Sequence, residues 1–240
     1  MSSFLAAPGA LSPDAIKALL AASDRTDADR KTDEKRHPDQ LLAFFGVGEG
    51  MHVADLGSGT GYTTELLARA VGANGKVYAQ NDPDLVKKFL DRPLGERLAR
   101  PANKNVIRED RAFDDPLPAD AQNLDLVTLC IFYHDAVSIG ADRDKMNKAV
   151  LAALKPGGSY VIVDASAKAG NGTNDTKTLH RIDENFVKTE VQKAGFTLVS
   201  SADFLRNPSD TRDWNSSPGA AGERRGTEDR FVLKFQKPAK

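Results

Sequence analysis

Val53-Ala54-Asp55-Leu56-Gly57-Ser58-Gly59-Thr60-Gly61-Tyr62 runs from a short apolar segment through an acid into three glycines, each one residue from the next. Beyond it, Leu66, Leu67, Ala70 and Val71 fall on one helical face. The pattern predicts a strand, a tight glycine-rich turn and a helix. Glycine suits such a turn because the backbone must bend sharply and a ligand must approach it with no Cβ in the way. Two nucleotide-binding readings fail on detail. A dinucleotide fingerprint needs its third glycine one residue later, where Tyr62 stands. A phosphate-binding loop would end in Gly-Lys followed by Ser or Thr, and this turn does not.

The run Asp55-Leu56-Gly57-Ser58-Gly59-Thr60-Gly61 resembles the first motif of class I S-adenosylmethionine-dependent methyltransferases. Later landmarks follow in the expected order, from about Leu41 to Phe235. Gly75 to Asn81 looks like a turn glycine and second strand, Asn105 to Asp110 like the third, and Asp125 to Ile131 like the fourth. Leu154-Lys155-Pro156-Gly157-Gly158 and then Ser159 to Asp164 look like the turn and fifth strand. Phe196 to Leu205 and Arg230 to Phe235 resemble the terminal hairpin that puts one antiparallel strand into the sheet. The resemblance implies an α/β fold: a Rossmann-like, doubly wound, seven-stranded, mostly parallel sheet in three αβα layers. Alternation of strand and helix agrees, because it implies a parallel sheet with right-handed crossovers. The expected organisation is an N-terminal helical extension over residues 1–37 and a methyltransferase domain over 38–240, with a long loop at 207–229.

The 240 residues carry 33 basic and 34 acidic side chains, so no electrostatic footprint of nucleic-acid binding is present. The lone Cys130 lies in an apolar strand and reads as a core residue. No apolar run is long enough for a membrane span. Met1 to Ala7 lacks the basic and apolar regions of a signal peptide, so a cytoplasmic protein is expected, although removal of an export signal would leave the same sequence. The sequence is compatible with a homodimer. Ser12-Pro13-Asp14 is a helix start. Asp24 to Arg36, dense in both charge signs, reads as a solvated helix or loop. Pro38 to Phe45 reads as a short helix closed by Gly46, and Thr178 to Ala194 as a helix closed by Gly195.

In such a sheet, ligands bind beyond the carboxyl ends of the strands. Gly57, Ser58, Gly59, Thr60, Gly61 and Tyr62 are therefore the expected contacts for S-adenosylmethionine and its product S-adenosylhomocysteine. Asp55, by resemblance, orients the turn and the ammonium end. The acid that grips the ribose hydroxyls in the family is replaced here by Asn81, with Asp82 next. An amide accepts with one atom only, so either Asn81 makes a weaker clasp or Asp82 supplies it, unless Asp82 caps the helix starting at Pro83. Asp110 and Arg111 match the position that faces the adenine.

Methyl transfer requires alignment of the nucleophile, the methyl carbon and sulfur, and a base when the acceptor is a hydroxyl. Tyr133-His134-Asp135 follows the fourth strand and is expected beside the methyl group, with His134 as base and Asp135 orienting it. His180 and Asp164 are expected to converge with His134. Those two histidines and a carboxylate also suit a divalent metal, but none is expected: catechol-type members use carboxylates and an amide, and here Asp164 is followed by Ala165. Tyr133-His134-Asp135, Leu179-His180-Arg181-Ile182-Asp183 and Asn207-Pro208-Ser209-Asp210 together resemble a group of bacterial methyltransferases without assigned substrates. The missing Asn-Pro-Pro-Tyr-type motif argues against nucleobase amines. The expected acceptor is a small molecule. A protein or peptide methyltransferase and a non-catalytic cofactor-binding module are the alternatives, with a nicotinamide dehydrogenase a distant fourth. Asn207 to Asp229, with the single Trp214, is expected either to close over the pocket as a lid or to be a mobile surface loop.

Overall fold

The computed structural model describes residues 9–239; the segment read for an export signal, and the start of the extension, lie outside the described residues. Seven strands form one sheet: β1 His52–Leu56, β2 Lys76–Asn81, β3 Val106–Asp110, β4 Leu124–Cys130, β5 Leu154–Ala165, β6 Thr197–Ala202 and β7 Arg230–Gln236. Their spatial order is β3-β2-β1-β4-β5-β7-β6. All neighbours from β3 through β5 run parallel, and β7 runs antiparallel to both β5 and β6. The order reverses between β1 and β4, which opens the crevice where ligands bind in sheets of this kind.

Helices cover both faces: α1 Pro13–Leu20, α2 Asp27–Arg36, α3 Pro38–Phe45, α4 Tyr62–Val71, α5 Pro83–Leu85, α6 Asp91–Leu98, α7 Tyr133–Ser138, α8 Arg143–Ala153 and α9 Glu184–Lys193. One apolar layer joins α7, α8 and α9 to the sheet through residues such as Tyr133, Met146, Val150, Val187 and Val191. The other joins Ile16, Leu42, Phe45, Leu67 and Val71 to Val53 and Val77. The N-terminal helices therefore share their core with α4 and β1, so a boundary at residue 37 separates elements without separating cores.

Asp24 to Arg36 carries a helix with most of its residues exposed, as its charge predicts, while Arg25 and Asp29 are buried. The capping box of Thr26 and Asp29 starts α2. Its carboxylates then meet arginines from the core: Arg97 bonds Asp29 at 2.7 Å and Glu65 at 2.9 Å, Arg100 bonds the same two acids, and Arg69 joins Glu65 to Asp24. Burial alone would raise the Asp29 pKa, but Arg97 and Thr26 outweigh it and hold the carboxyl well below its ordinary range.

One segment differs from its sequence reading: at Thr178 to Asp183 no helix forms. Ile182 bridges to Ser166 beside the end of β5, donating to Ala165 O, and Asp183 caps α9 by accepting from Asn185 N. The reason is Arg181. Its fully buried guanidinium pairs at 2.7 Å with Asp210, whose side chain is also fully buried. Asp210 further accepts from the Asp229 backbone at 2.7 Å and from Trp214 Nε1 at 2.7 Å. Trp214 is sandwiched between the guanidinium groups of Arg181 at 4.7 Å and Arg224 at 4.3 Å. Residues 207–229 are thus a braced arm rather than a free lid.

Removing one partner of a buried ion pair costs about 3–5 kcal/mol, because the other charge stays uncompensated. Arg181→Met is expected to lower unfolding free energy by about that amount in guanidinium titrations. A loss below about 1 kcal/mol, typical of an exposed pair, would contradict the bracing role.

Candidate active site

The carboxyl ends of β1, β4 and β5 place the glycine turn and the Tyr133-His134-Asp135 segment on one edge of the sheet. Gly57, Gly59 and Gly61 all have positive φ, at 58°, 58° and 82°. Their surroundings differ. A Cβ on Gly57 would lie 2.5 Å from the Phe132 ring, whereas one on Gly59 would meet only Phe132 Cε2, at 3.8 Å. Gly57 therefore packs against protein and Gly59 faces the crevice. Ser58 is buried and Thr60 is exposed.

Asp55 is buried and accepts from the Thr64 hydroxyl at 2.7 Å and the Thr128 hydroxyl at 2.8 Å. Burial pushes its carboxyl up to about 6 against the opposing pull of those two hydroxyls. It ties β1 to α4 and β4. Gln80, missed in the sequence, holds the turn from the other side: it accepts from Gly57 N at 3.1 Å and donates to Arg111 O at 2.6 Å. Its signal was present, since Gln80-Asn81 are the only amides ending an otherwise apolar strand.

Asn81 is fully buried and committed to the turn. Its amide oxygen accepts from Gly59 N at 2.8 Å, and its Nδ2 donates to Ser58 Oγ at 2.7 Å. Asp82 caps α5, accepting from Asp84 N and Leu85 N. Asn81 is thus taken up by the turn, while Asp82 is half-exposed and caps through Oδ1, one of the two readings given for it. Asp110 is exposed and paired with Arg108, and Arg111 bonds Asp115. Tyr62 donates to Asp33 Oδ1 at 2.6 Å, and Arg36 lies over its ring at 5.3 Å. Arg36 has no carboxylate partner within ion-pair distance among the described residues.

Beyond β4, Ile131 takes a positive φ of 61° and turns the chain into α7. Tyr133 points away from the crevice: it is fully buried in the core and its hydroxyl donates to Glu190 at 2.7 Å. The expectation of a catalytic Tyr133 is corrected on that ground. His134 faces the site. Its backbone N–H donates to Asp164 Oδ2 at 2.8 Å, and its ring Nδ1 meets Asp164 Oδ1 at 2.7 Å. That pairing assigns the Nδ1 proton and turns Nε2 outward. Nε2 lies 3.3 Å from His180 Nδ1 and 3.4 Å from Asp135 Oδ2, and His180 Nδ1 lies 3.5 Å from Asp135 Oδ1. His134, His180 and Asp135 thus converge, with Asp164 behind them.

Burial disfavours a charged His134, but the Asp164 carboxylate and, less strongly, Asp135 outweigh it and push the ring up to about 9. A base working near neutral pH was the expectation. The Asp164 carboxylate thus favours the protonated ring and strengthens the basicity of His134. His180 has a positive φ of 51°, costly for a non-glycine residue. The braced arm enforces it: Ser216 Oγ donates to His180 O at 2.7 Å and Ser216 N donates to Leu179 O at 3.0 Å.

With this geometry in view, the comparisons with known proteins fall on the same fold. Residues 37–92 match the family model for protein-L-isoaspartate(D-aspartate) O-methyltransferase. The chain is 27% identical over 158 residues to the ubiquinone/menaquinone biosynthesis C-methyltransferase UbiE of Idiomarina loihiensis, covering 66% of this chain and 57% of that protein. It is 30% identical over 117 residues to protein-L-isoaspartate O-methyltransferase of Triticum aestivum, covering 47% of this chain and 45% of that one. The chain thus spans about half the length of these curated relatives. The crystal structure of a SAM-dependent methyltransferase from Aquifex aeolicus superposes with a TM-score of 0.62, at 19% identity, over 95% of this chain and 99% of that one. At that identity the likeness establishes the fold.

The two glycines predict different responses. Left-handed geometry costs an L-residue about 1–2 kcal/mol, so Gly59→Ala is expected to lose about that much stability. Gly57→Ala adds overpacking against Phe132, about 1–3 kcal/mol more. Chemical denaturation that ranks Gly59→Ala as the more damaging would contradict the placement of Phe132.

Proposed function

We propose that this chain, which carries the motif and fold of class I S-adenosylmethionine-dependent methyltransferases, moves a methyl group from this cofactor to a small-molecule acceptor beside His134. The observation carrying this reading is the shared edge. The glycine turn follows β1 and the His134–His180–Asp135 cluster follows β4 and β5, strands adjacent in the sheet, so both lie beyond the same carboxyl edge.

In this reading Gly59 leaves room for the cofactor, and Gly57, Ser58, Thr60 and Gly61 shape the turn around it. The unpaired Arg36 over Tyr62 suits the cofactor's carboxylate, since a guanidinium and a carboxylate form a charge-assisted pair. Asn81 acts by holding the turn closed rather than by clasping ribose. Asp55, Gln80, Thr64 and Thr128 keep the turn rigid, so its geometry is set before binding.

Bound cofactor supplies an electrophilic methyl on a sulfonium. The residues of the cluster orient the acceptor and take up its proton. Asp164 fixes His134, while Asp135 and His180 present the remaining uncommitted oxygen and nitrogen atoms. The slender access favours a small acceptor: the His134 side chain is 4% exposed and that of His180 30%. A folded protein surface reaches so recessed a group only through a thin side chain. The protein-methylating family model covers only residues 37–92, the stretch that holds the cofactor turn, and so bears on the cofactor more than on the acceptor.

Calorimetry is expected to detect binding of both S-adenosylmethionine and S-adenosylhomocysteine, with Gly59→Val abolishing it, since a branched side chain fills the cofactor's space. His134→Ala and His180→Ala are each expected to keep cofactor affinity while slowing turnover by about 10²–10⁴-fold, the usual cost of losing proton-transfer machinery. The acceptor is sought by mass spectrometry with labelled cofactor across metabolite and peptide panels. Failure of the wild-type chain to bind either cofactor form would overturn the reading, and methylation of peptides alone would replace its small-molecule half.

A further inference from the structure

Three ligand atoms from His134, His180 and Asp135 all lie within 4.8 Å of one another, and each is aimed by a separate device. His134 Nε2 is turned outward because Nδ1 is held by Asp164. His180 Nδ1 is turned inward by a left-handed backbone that Ser216 and the Arg181–Asp210 brace maintain. Asp135 has no side-chain partner among the described residues other than the two histidines. The three separations are 3.3, 3.4 and 3.5 Å. A tetrahedral ion with bonds of about 2.0–2.1 Å sets its ligand atoms about 3.3–3.4 Å apart. The two nitrogens already stand at that spacing, while Asp135 offers a different oxygen to each, Oδ2 to His134 and Oδ1 to His180, so its carboxylate turns to set one oxygen at the third corner of the face.

We propose that His134, His180 and Asp135 form a site for a divalent metal ion of the zinc class, with Asp164 as the carboxylate that orients His134 from behind. Two imidazoles and one carboxylate with a vacant fourth direction make up the donor set of catalytic rather than structural zinc centres. The Asp164–His134 pair repeats the carboxylate–histidine arrangement that fixes the ring and raises its basicity toward a metal. This donor set differs from the oxygen-rich carboxylate and amide set of catechol-type enzymes, which the sequence does not supply.

The site stands on its own geometry; its use rests on the methyl-transfer reading. There it favours acceptors bearing a hydroxyl or a thiol. Such a group takes the fourth position and releases its proton to solvent, because coordination lowers its pKa. Its lone pair then forms the bond to the methyl carbon as the carbon–sulfur bond breaks, and S-adenosylhomocysteine leaves as a neutral thioether. The products are methylated acceptor, S-adenosylhomocysteine and one proton, with no change of oxidation state at the metal.

The test uses the full chain stripped with a chelator. Zn²⁺ titrated by calorimetry is expected to bind at one equivalent, and Co²⁺ to give the intense visible bands of tetrahedral coordination. His180→Ala and Asp135→Asn are expected to abolish both signals, and Asp164→Asn to weaken Zn²⁺ binding by about 10–100-fold, the usual cost of losing an orienting partner. S-adenosylhomocysteine affinity measured on the same samples verifies that each variant is folded. Absence of saturable Zn²⁺ binding by the wild type, or binding unchanged in His180→Ala and Asp135→Asn, overturns the metal site while leaving the methyl-transfer reading intact. Zn²⁺ binding without any S-adenosylhomocysteine binding overturns the methyl-transfer reading and leaves the site.

Discussion

Asp164, a fully buried carboxylate at the end of β5, is the constraint on which the candidate site depends. One oxygen accepts from the His134 backbone and the other meets its ring. The first bond fixes where the chain turns out of β4, and the second fixes how the imidazole points. A buried carboxylate is costly without such partners, so the sheet and the site stabilise each other. Everything else in the cluster, including the strained backbone of His180, is arranged around the direction that Asp164 gives to His134 Nε2.

The support reaches far along the chain. His180 is held by Ser216 of the arm, and the arm is held by the Arg181–Asp210–Asp229 bonds. On the opposite face, α2 is bound to α4 and α6 by arginines bridging Asp29 and Glu65. That network draws Tyr62 and Arg36 toward the glycine turn. Polar segments that look dispensable by composition are therefore what position the groups bordering the crevice.

The strands and their order were legible because they rest on local signals: apolar runs, glycine spacing and the Lys155-Pro156-Gly157-Gly158 turn. The convergence of His134, His180 and Asp164 was legible from their places after successive strands. Less legible was anything decided by pairing between distant charges. Asp24 to Arg36 is mostly exposed as read, but nothing local shows that Asp29 is buried against Arg97 and Arg100. Thr178 to Asp183 has helical spacing, yet the buried Arg181 pair prevails over that local preference. Tyr133 sits beside His134 in sequence, but successive helical residues face different ways, and it enters the core. Asn81 and Asp82 were read as ribose ligands because of where they stand; their hydrogen bonds go to the turn and to a helix cap.

The central claim is that cofactor and cluster share one crevice, with the reacting end of the cofactor toward His134. A crystal structure of the chain with S-adenosylhomocysteine tests it most directly. The account predicts the amino-acid end of the ligand over Gly57 to Gly61 and its sulfur directed at the space in front of His134 and His180. A ligand bound elsewhere, or with its sulfur turned away from both histidines, would contradict it.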